Sequence, residues 1–279
     1  MPGEFPLTAS EQGLLYTALE AGRYSFFIGA GVSSEAGLPT ARQLVDTLLR
    51  HLYRHGLTTK DAEDSFREEY AFDGALTLGR VTQAIQDKMG RSKLIALLQD
   101  SVNFDVSPGF VHGSLAKLSL SASQADRPLR VITPNYDALL EDAFGRACDV
   151  VATNDHYRSA HDGRPWVVKI HGCIRQEPQT TIIITDSDQS SVLPEWKVAA
   201  LRASTRGRGL VVLGYSGMDE HLNSFIWRGM EESDQSSYPS LWVSPDPLPE
   251  SVLEKLRGYG GRQLLIEAFP FFKQLDLQS

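Results

Sequence analysis

The stretch Tyr24-Ser25-Phe26-Phe27-Ile28-Gly29-Ala30-Gly31-Val32-Ser33-Ser34-Glu35-Ala36-Gly37-Leu38-Pro39 decides how the chain is read. It opens with a short apolar run that stops at a glycine, which predicts a buried strand. The glycines that follow let a backbone come close to a pyrophosphate. Free N–H groups at a helix start would attract its charge. The pattern approaches a dinucleotide-binding fingerprint, with Ser34 where the third glycine belongs. The second strand with its acidic ribose-binding end is missing, because a helix follows. A tight strand-to-helix turn without a ligand is the plainer reading, and on this stretch alone both stay open.

Outward from it, residues 10–21 have helical spacing, and Thr40 to Tyr53 puts Leu44, Val45, Leu48, Leu49 and Leu52 on one helical face. Residues 60 to 122 are helix-like throughout. The pattern then changes to short apolar runs at 129–133, 166–170, 181–185, 210–213, 241–243 and 264–266, read as strands. Between them, 136–147, 194–204 and 219–230 read as helices, the second with Pro194 in its first turn. Short strands alternating with helices predict an α/β fold: a Rossmann-like parallel sheet with helices on both faces and an inserted smaller helical module. The expected division is a single domain over 1–279, its core formed by 24–58 and 123–279 and its helical insert by 59–122.

Composition fits that reading. The 279 residues hold 42% hydrophobic and 22% charged side chains, an ordinary globular balance. Lys and Arg number 27 against 35 Asp and Glu, a net charge of −8, so no direct nucleic-acid binding is expected. The 2 cysteines, Cys148 and Cys173, allow neither a disulfide framework nor a four-cysteine zinc site. The start shows no signal peptide and no run is long enough to span a membrane, so a cytoplasmic protein is expected.

In parallel sheets, ligands bind outside the carboxyl ends of the strands. The residues at those ends are Gly29, Ala30, Gly31 and Ser33; Thr133-Pro134-Asn135-Tyr136-Asp137; Lys169-Ile170-His171-Gly172; and Gly214-Tyr215-Ser216-Gly217-Met218-Asp219. Each has an ordinary explanation. Asn135 or Thr133 could cap the next helix, His171 could be a satisfied polar group, and the last run could be plain turn chemistry. Together they put small and hydrogen-bonding residues at one sheet edge, with an Asn and a His among them. His51 and His55 have the i, i+4 spacing of a zinc pair but no third ligand, and no metal is expected. Arg202, Arg206 and Arg208 read as a solvated face that could contact a partner.

The pieces GAGVSSEAGLP, TPNYD, KIHG and GYSGMD, in that order over residues 29–219, resemble the sirtuin (SIR2) superfamily. TPNYD and the GYS-x-x-D turn are closer to the SIR2-like domains of bacterial defence proteins than to protein deacylases. The paired zinc cysteines of deacylases are missing, and Thr40-Ala41-Arg42 follows Pro39 where deacylases carry Asp-Phe-Arg. Pro134 replaces the usual Gln, and Ser244 stands near the place of a ribose-binding Asn. The resemblance implies an NAD glycohydrolase that makes ADP-ribose and nicotinamide, acting as the effector of an anti-phage (abortive infection) system. It implies activation by a separate sensor subunit, a ligand or homo-oligomerisation. NAD is then the substrate, with Asn135 and His171 as the catalytic residues. Gly29, Ala30, Gly31 and Ser33 would hold the pyrophosphate, Gly214, Tyr215 and Ser216 the adenosine side, and Ser244 the ribose. Asp137 would face the nicotinamide or serve as helix-start charge. The alternatives are a non-catalytic subunit binding NAD or ADP-ribose, an NAD-dependent protein deacylase and, more distantly, an NAD-dependent oxidoreductase.

Overall fold

The computed structural model describes residues 6–55, 62–70, 76–175, 182–191, 193–231 and 238–276. Seven strands form one parallel sheet: β1 (Tyr24–Ile28), β2 (Arg130–Thr133), β3 (Asp149–Val151), β4 (Trp166–Lys169), β5 (Gly209–Leu213), β6 (Leu241–Ser244) and β7 (Arg262–Leu265). Their order is β3-β4-β2-β1-β5-β6-β7. In register, Phe26 pairs with Val131 on one side and Val211 on the other. The chain leaves β1 for β2 and later returns to β5 on the opposite flank, so the order reverses at β1. That is where such sheets open a crevice at their carboxyl ends.

Among the described residues fourteen helices surround the sheet. They are α1 (Ala9–Glu20), α2 (Ala30–Ser33), α3 (Ala41–Arg54), α4 (Ala62–Glu69), α5 (Leu78–Met89), α6 (Arg91–Ser101) and α7 (Phe110–Gln124), then α8 (Leu139–Phe144), α9 (Asn154–Ser159), α10 (Asp186–Gln189), α11 (Glu195–Thr205), α12 (Glu220–Glu231), α13 (Glu250–Gly258) and α14 (Ala268–Asp276). The period-two alternation of each strand sorts its side chains between two layers. Tyr24, Phe26 and Ile28 join α1, α7, α8 and α14 in one core. Phe27, Ile132, Val168 and Val212 join α11, α12 and α13 in the other. Every residue of β1 and β5 is buried, whereas β7, an edge strand, exposes Arg262 and Leu265.

The apolar stripe of α3 packs with Phe66 of α4, Val81 and Ile85 of α5 and Leu94 and Leu98 of α6 into a third core beside the sheet. Thr40 opens α3 with a capping box, exchanging hydrogen bonds with Gln43. α7 buries Val111 and Leu115 against the sheet rather than among those helices.

The expected strand at 181–185 is not one. Thr181 lies outside the described residues, and Ile182–Ile184 join no ladder. Their carbonyls instead take hydrogen bonds from the hydroxyls of Tyr136, at Ile183, and Thr82, at Ile184, both at 2.8 Å. Thr185 caps α10. The β-branched run that suggested a strand is buried between helices. The helix expected over 136–147 begins only at Leu139, and Pro194 precedes α11 as its cap. Strand β3 and helices α9, α13 and α14 were not expected.

Candidate active site

The glycine loop is shaped by a second loop. Gly29 continues the sheet, donating its N–H to the Leu213 carbonyl at 2.8 Å, and Gly31 donates to the Gly214 carbonyl at 2.8 Å. A Cβ on Gly31 would lie 2.8 Å from that carbonyl oxygen, and one on Gly29 2.6 Å from it. Gly214 has φ +64°, and a Cβ there would meet the Val32 nitrogen at 2.5 Å. The three glycines are thus required by the approach of two backbones, after β1 and after β5, at the carboxyl edge. Ala30 follows Gly29 into the single turn of α2.

Ser33, at the end of that turn, is the hub of a buried chain. Its hydroxyl donates to Asp137 Oδ2 at 2.9 Å and accepts from Asn135 Nδ2 at 3.1 Å. Asp137 Oδ1 accepts from the Leu139 N–H at 3.1 Å, so the helix-start duty falls to Asp137. The Asn135 carboxamide points across to the glycine loop instead. Thr133 fixes this turn from below: its hydroxyl donates to the Ile28 carbonyl at 2.7 Å and accepts from the Asn135 N–H at 3.1 Å. Beneath the turn, the fully buried Lys169 donates to the Asp137 carbonyl and pairs with Glu141 at 3.1 Å. Burial pulls its ammonium pKa down, but Glu141, Cys173 and Asp137 outweigh this and hold it raised.

His171, after β4, is 3% exposed. Its Nε2 is buried without a hydrogen-bond partner among the described residues. The ring lies beside Tyr136, with centres 6.5 Å apart, and beside two side chains of α12, His221 at 5.4 Å and Phe225 at 6.3 Å. Burial, His221 and Lys197 push its pKa well below 6.5, so the imidazole is neutral at physiological pH. Lys197 donates to the Ile170 carbonyl at 2.6 Å, and burial lowers it to about 8.

The structure thus joins Ser33, Asn135 and Asp137 directly, and Gly29, Gly31 and Gly214 by backbone contact. Ser216 is exposed. Tyr215 turns inward: its hydroxyl bonds the Asp219 carbonyl at 2.6 Å and Asn223 at 3.0 Å, leaving its carbonyl to Trp242 Nε1. Asp219 accepts from the Leu222 N–H at 3.1 Å and caps α12. Ser244 closes its own turn, donating to the Asp246 carbonyl at 2.9 Å and accepting from Gln263 at 2.7 Å. Sequence reasoning missed His221, Lys197 and the Lys169–Glu141 pair. His221 was legible in principle, because the helix after Asp219 starts at the same sheet edge. No group of three or more potential metal ligands occurs among the described residues. Cys148 and Cys173 are free and buried.

A parallel sheet covered on both faces, with a polar chain at its switch point, defines a Rossmann-like α/β protein. The family model described as the SIR2-like domain matches residues 129–262. The chain is 23% identical over 235 residues to defence-associated sirtuin 2 of Bacillus subtilis, across 82% of this chain and 21% of that protein. It is 28% identical over 216 residues to the NAD(+) hydrolase ThsA of Acinetobacter baumannii (strain 532279), across 75% of this chain and 40% of that one. The chain spans less than half the length of these curated relatives. Among solved structures, it superposes on a mutant Sir2 homologue in complex with ADP ribose with TM-score 0.56 at 17% identity, covering 96% of this chain and 95% of that chain. That likeness carries the fold.

Proposed function

We propose that this protein hydrolyses the bond between nicotinamide and ribose in NAD, releasing ADP-ribose, as the effector of an anti-phage defence system. The observation that carries the reading is the carboxyl edge itself. A hydrogen-bonded Asn135–Ser33–Asp137 chain follows β2 beside the glycine loop, and a buried neutral His171 with an unsatisfied Nε2 follows the neighbouring strand β4. The orphaned Nε2 fits a substrate hydroxyl or water, since an unpaired buried polar atom is costly without one.

Such a cleavage builds positive charge at the anomeric carbon, and nicotinamide leaves as a neutral group. Asn135 offers a donor and an acceptor to orient water or the ribose hydroxyls. His171, neutral, takes the proton from one of them. Asp137 keeps its carboxylate on Ser33 and Leu139 and lends negative charge to the site from behind. The Gly29 and Gly31 N–H groups are spent on the Leu213 and Gly214 carbonyls, so Gly29, Ala30, Gly31 and Ser33 border the pyrophosphate by close approach rather than by those donors, and Gly214, Tyr215, Ser216 and Ser244 border the adenosine half.

Asn135 is 7% and His171 3% exposed, which supports an edge that opens on activation, by assembly of copies of this chain or by a separate sensor subunit. A cytoplasmic setting belongs to the same reading. No helix among the described residues is long and apolar enough to cross a membrane. We also propose that the helical insert is a module of the single domain, with α7, mostly inside the expected 59–122, packed on the sheet and α3 packed with α4, α5 and α6.

The test follows NAD, nicotinamide and ADP-ribose by chromatography over a range of protein concentrations. Wild-type turnover should fall by about 10²–10⁴-fold in His171→Ala. Turnover seen only with an acyl-lysine peptide would make the protein a deacylase. ADP-ribose binding with no turnover under any assembly condition would make it a non-catalytic subunit.

A further inference from the structure

Two imidazoles, not one, lie unsatisfied at the carboxyl edge. His221 stands in the first turn of α12, and its Nε2 is buried without a partner among the described residues, as is that of His171. The ring centres are 5.4 Å apart and the planes tilted by 31°, yet neither Nε2 bonds the other ring. Phe225 packs edge-on to both rings, at 5.1 Å from His221 and 6.3 Å from His171, and holds the pair side by side. Two orphaned nitrogens in one place cost stability unless a ligand completes them.

The surroundings select the ligand. Burial lowers the pKa of both rings, and Lys197 adds to this against the opposite pull of Asp219 on His221 and Asp188 on His171, so the pair is neutral. A neutral imidazole brings one donor and one acceptor, which suits hydroxyls better than an anion. Rings this close can each reach one of two adjacent hydroxyls at about 2.6–3.2 Å. We infer that His221 is a second contact to the substrate, its Nε2 and that of His171 each taking one hydroxyl of the vicinal diol on the ribose next to the scissile bond. This rests on the NAD reading above and adds to it a positioning residue from α12.

Calorimetric titration of the full chain with ADP-ribose and with ADP, which lacks that ribose, separates the two. His221→Phe keeps the ring packing and deletes the nitrogen. It should weaken ADP-ribose binding by about tenfold, the worth of one hydrogen bond, leave ADP binding unchanged and leave the melting temperature of the free protein no lower. His221→Gln, which returns an amide near the Nε2 position, should recover most of the loss. Unchanged ADP-ribose affinity in His221→Phe overturns the inference and leaves the NAD reading standing. So does tighter binding, which would make His221 a plug over His171, and so does an equal loss for both ligands, which would make its role structural. Wild-type protein that binds neither ligand under any assembly condition overturns the NAD reading, and the inference with it.

Discussion

Ser33 holds together two residues that sequence reasoning placed in different roles. Asn135 was a catalytic candidate and Asp137 either a ligand contact or a helix-start charge, and the Ser33 hydroxyl bonds both. Ser33→Ala removes the acceptor that aims the Asn135 carboxamide and leaves Asp137 Oδ2 without its donor. Expected is a loss of NAD turnover of about ten- to a hundredfold, with stability falling by about 1–3 kcal/mol. An unchanged rate in the alanine variant would mean that Asn135 needs no such aim. Gly214 is a harsher case. An alanine there combines a positive φ with a Cβ 2.5 Å from the Val32 nitrogen, so the two loops must part. Gly214→Ala should destabilise by about 1–3 kcal/mol or more in denaturant titration. A wild-type midpoint would show that the loops do not need this contact.

At the scale of elements, β4 and α8 are joined by the buried Lys169–Glu141 pair at 3.1 Å. Removing one partner strands the other's charge, which costs about 3–5 kcal/mol, whereas replacing both by apolar residues of similar size is often neutral. Lys169→Met should therefore be far less stable than Lys169→Met/Glu141→Leu, as read by a double-mutant cycle in urea. Additive losses would contradict this. This pair also marks the limit of what sequence patterns reveal. The central strands were legible because a strand buried on both faces is a short continuous apolar run, as in YSFFI and LVVL. The Gly, Asn and His of the site were legible because they follow such runs immediately. β3 was not, since Asp149 and Val150 of this edge strand are only half-buried and make no such run. The run at 182–184 misled for the converse reason: its apolar burial is real, but helices supply it. The Lys169–Glu141 pair was hidden because its partners lie in different elements and no local spacing announces them, whereas His221 follows the Asp219 turn and only its pairing with His171 was hidden.

The whole molecule stores neutral imidazoles, and this sets its response to acid. His112 is fully buried on α7, and its Nδ1 accepts from the Gly109 N–H at 3.2 Å, so the ring is neutral with its proton on Nε2. Burial lowers its pKa, against the pull of Asp137, Glu35 and Glu141, and burial lowers those of His171 and His221 as well. An unfolded histidine titrates near 6.5. As pH falls through that value the unfolded chain takes up protons that the folded chain refuses, and linkage moves the balance toward unfolding. Stability is therefore full above about pH 6.5 and lost below it, until the folded pKa values are reached. Each fully buried ring contributes about 1.4 kcal/mol of loss per pH unit in that window. The melting temperature should fall steadily from about pH 7 to about pH 5. His112→Asn, which keeps an acceptor near the Nδ1 position and removes the titrating ring, should make that slope shallower while leaving the plateau above about pH 7 flat. NAD turnover should follow a different curve. It needs His171 neutral, and an active state that keeps the ring enclosed by Tyr136, His221 and Phe225 keeps its pKa lowered, so the rate per folded molecule should then hold at about pH 6 while the melting temperature is already falling. A rate that halves near pH 6.5 in fully folded protein would mean that His171 titrates like an exposed histidine, in contact with water rather than enclosed by Tyr136, His221 and Phe225.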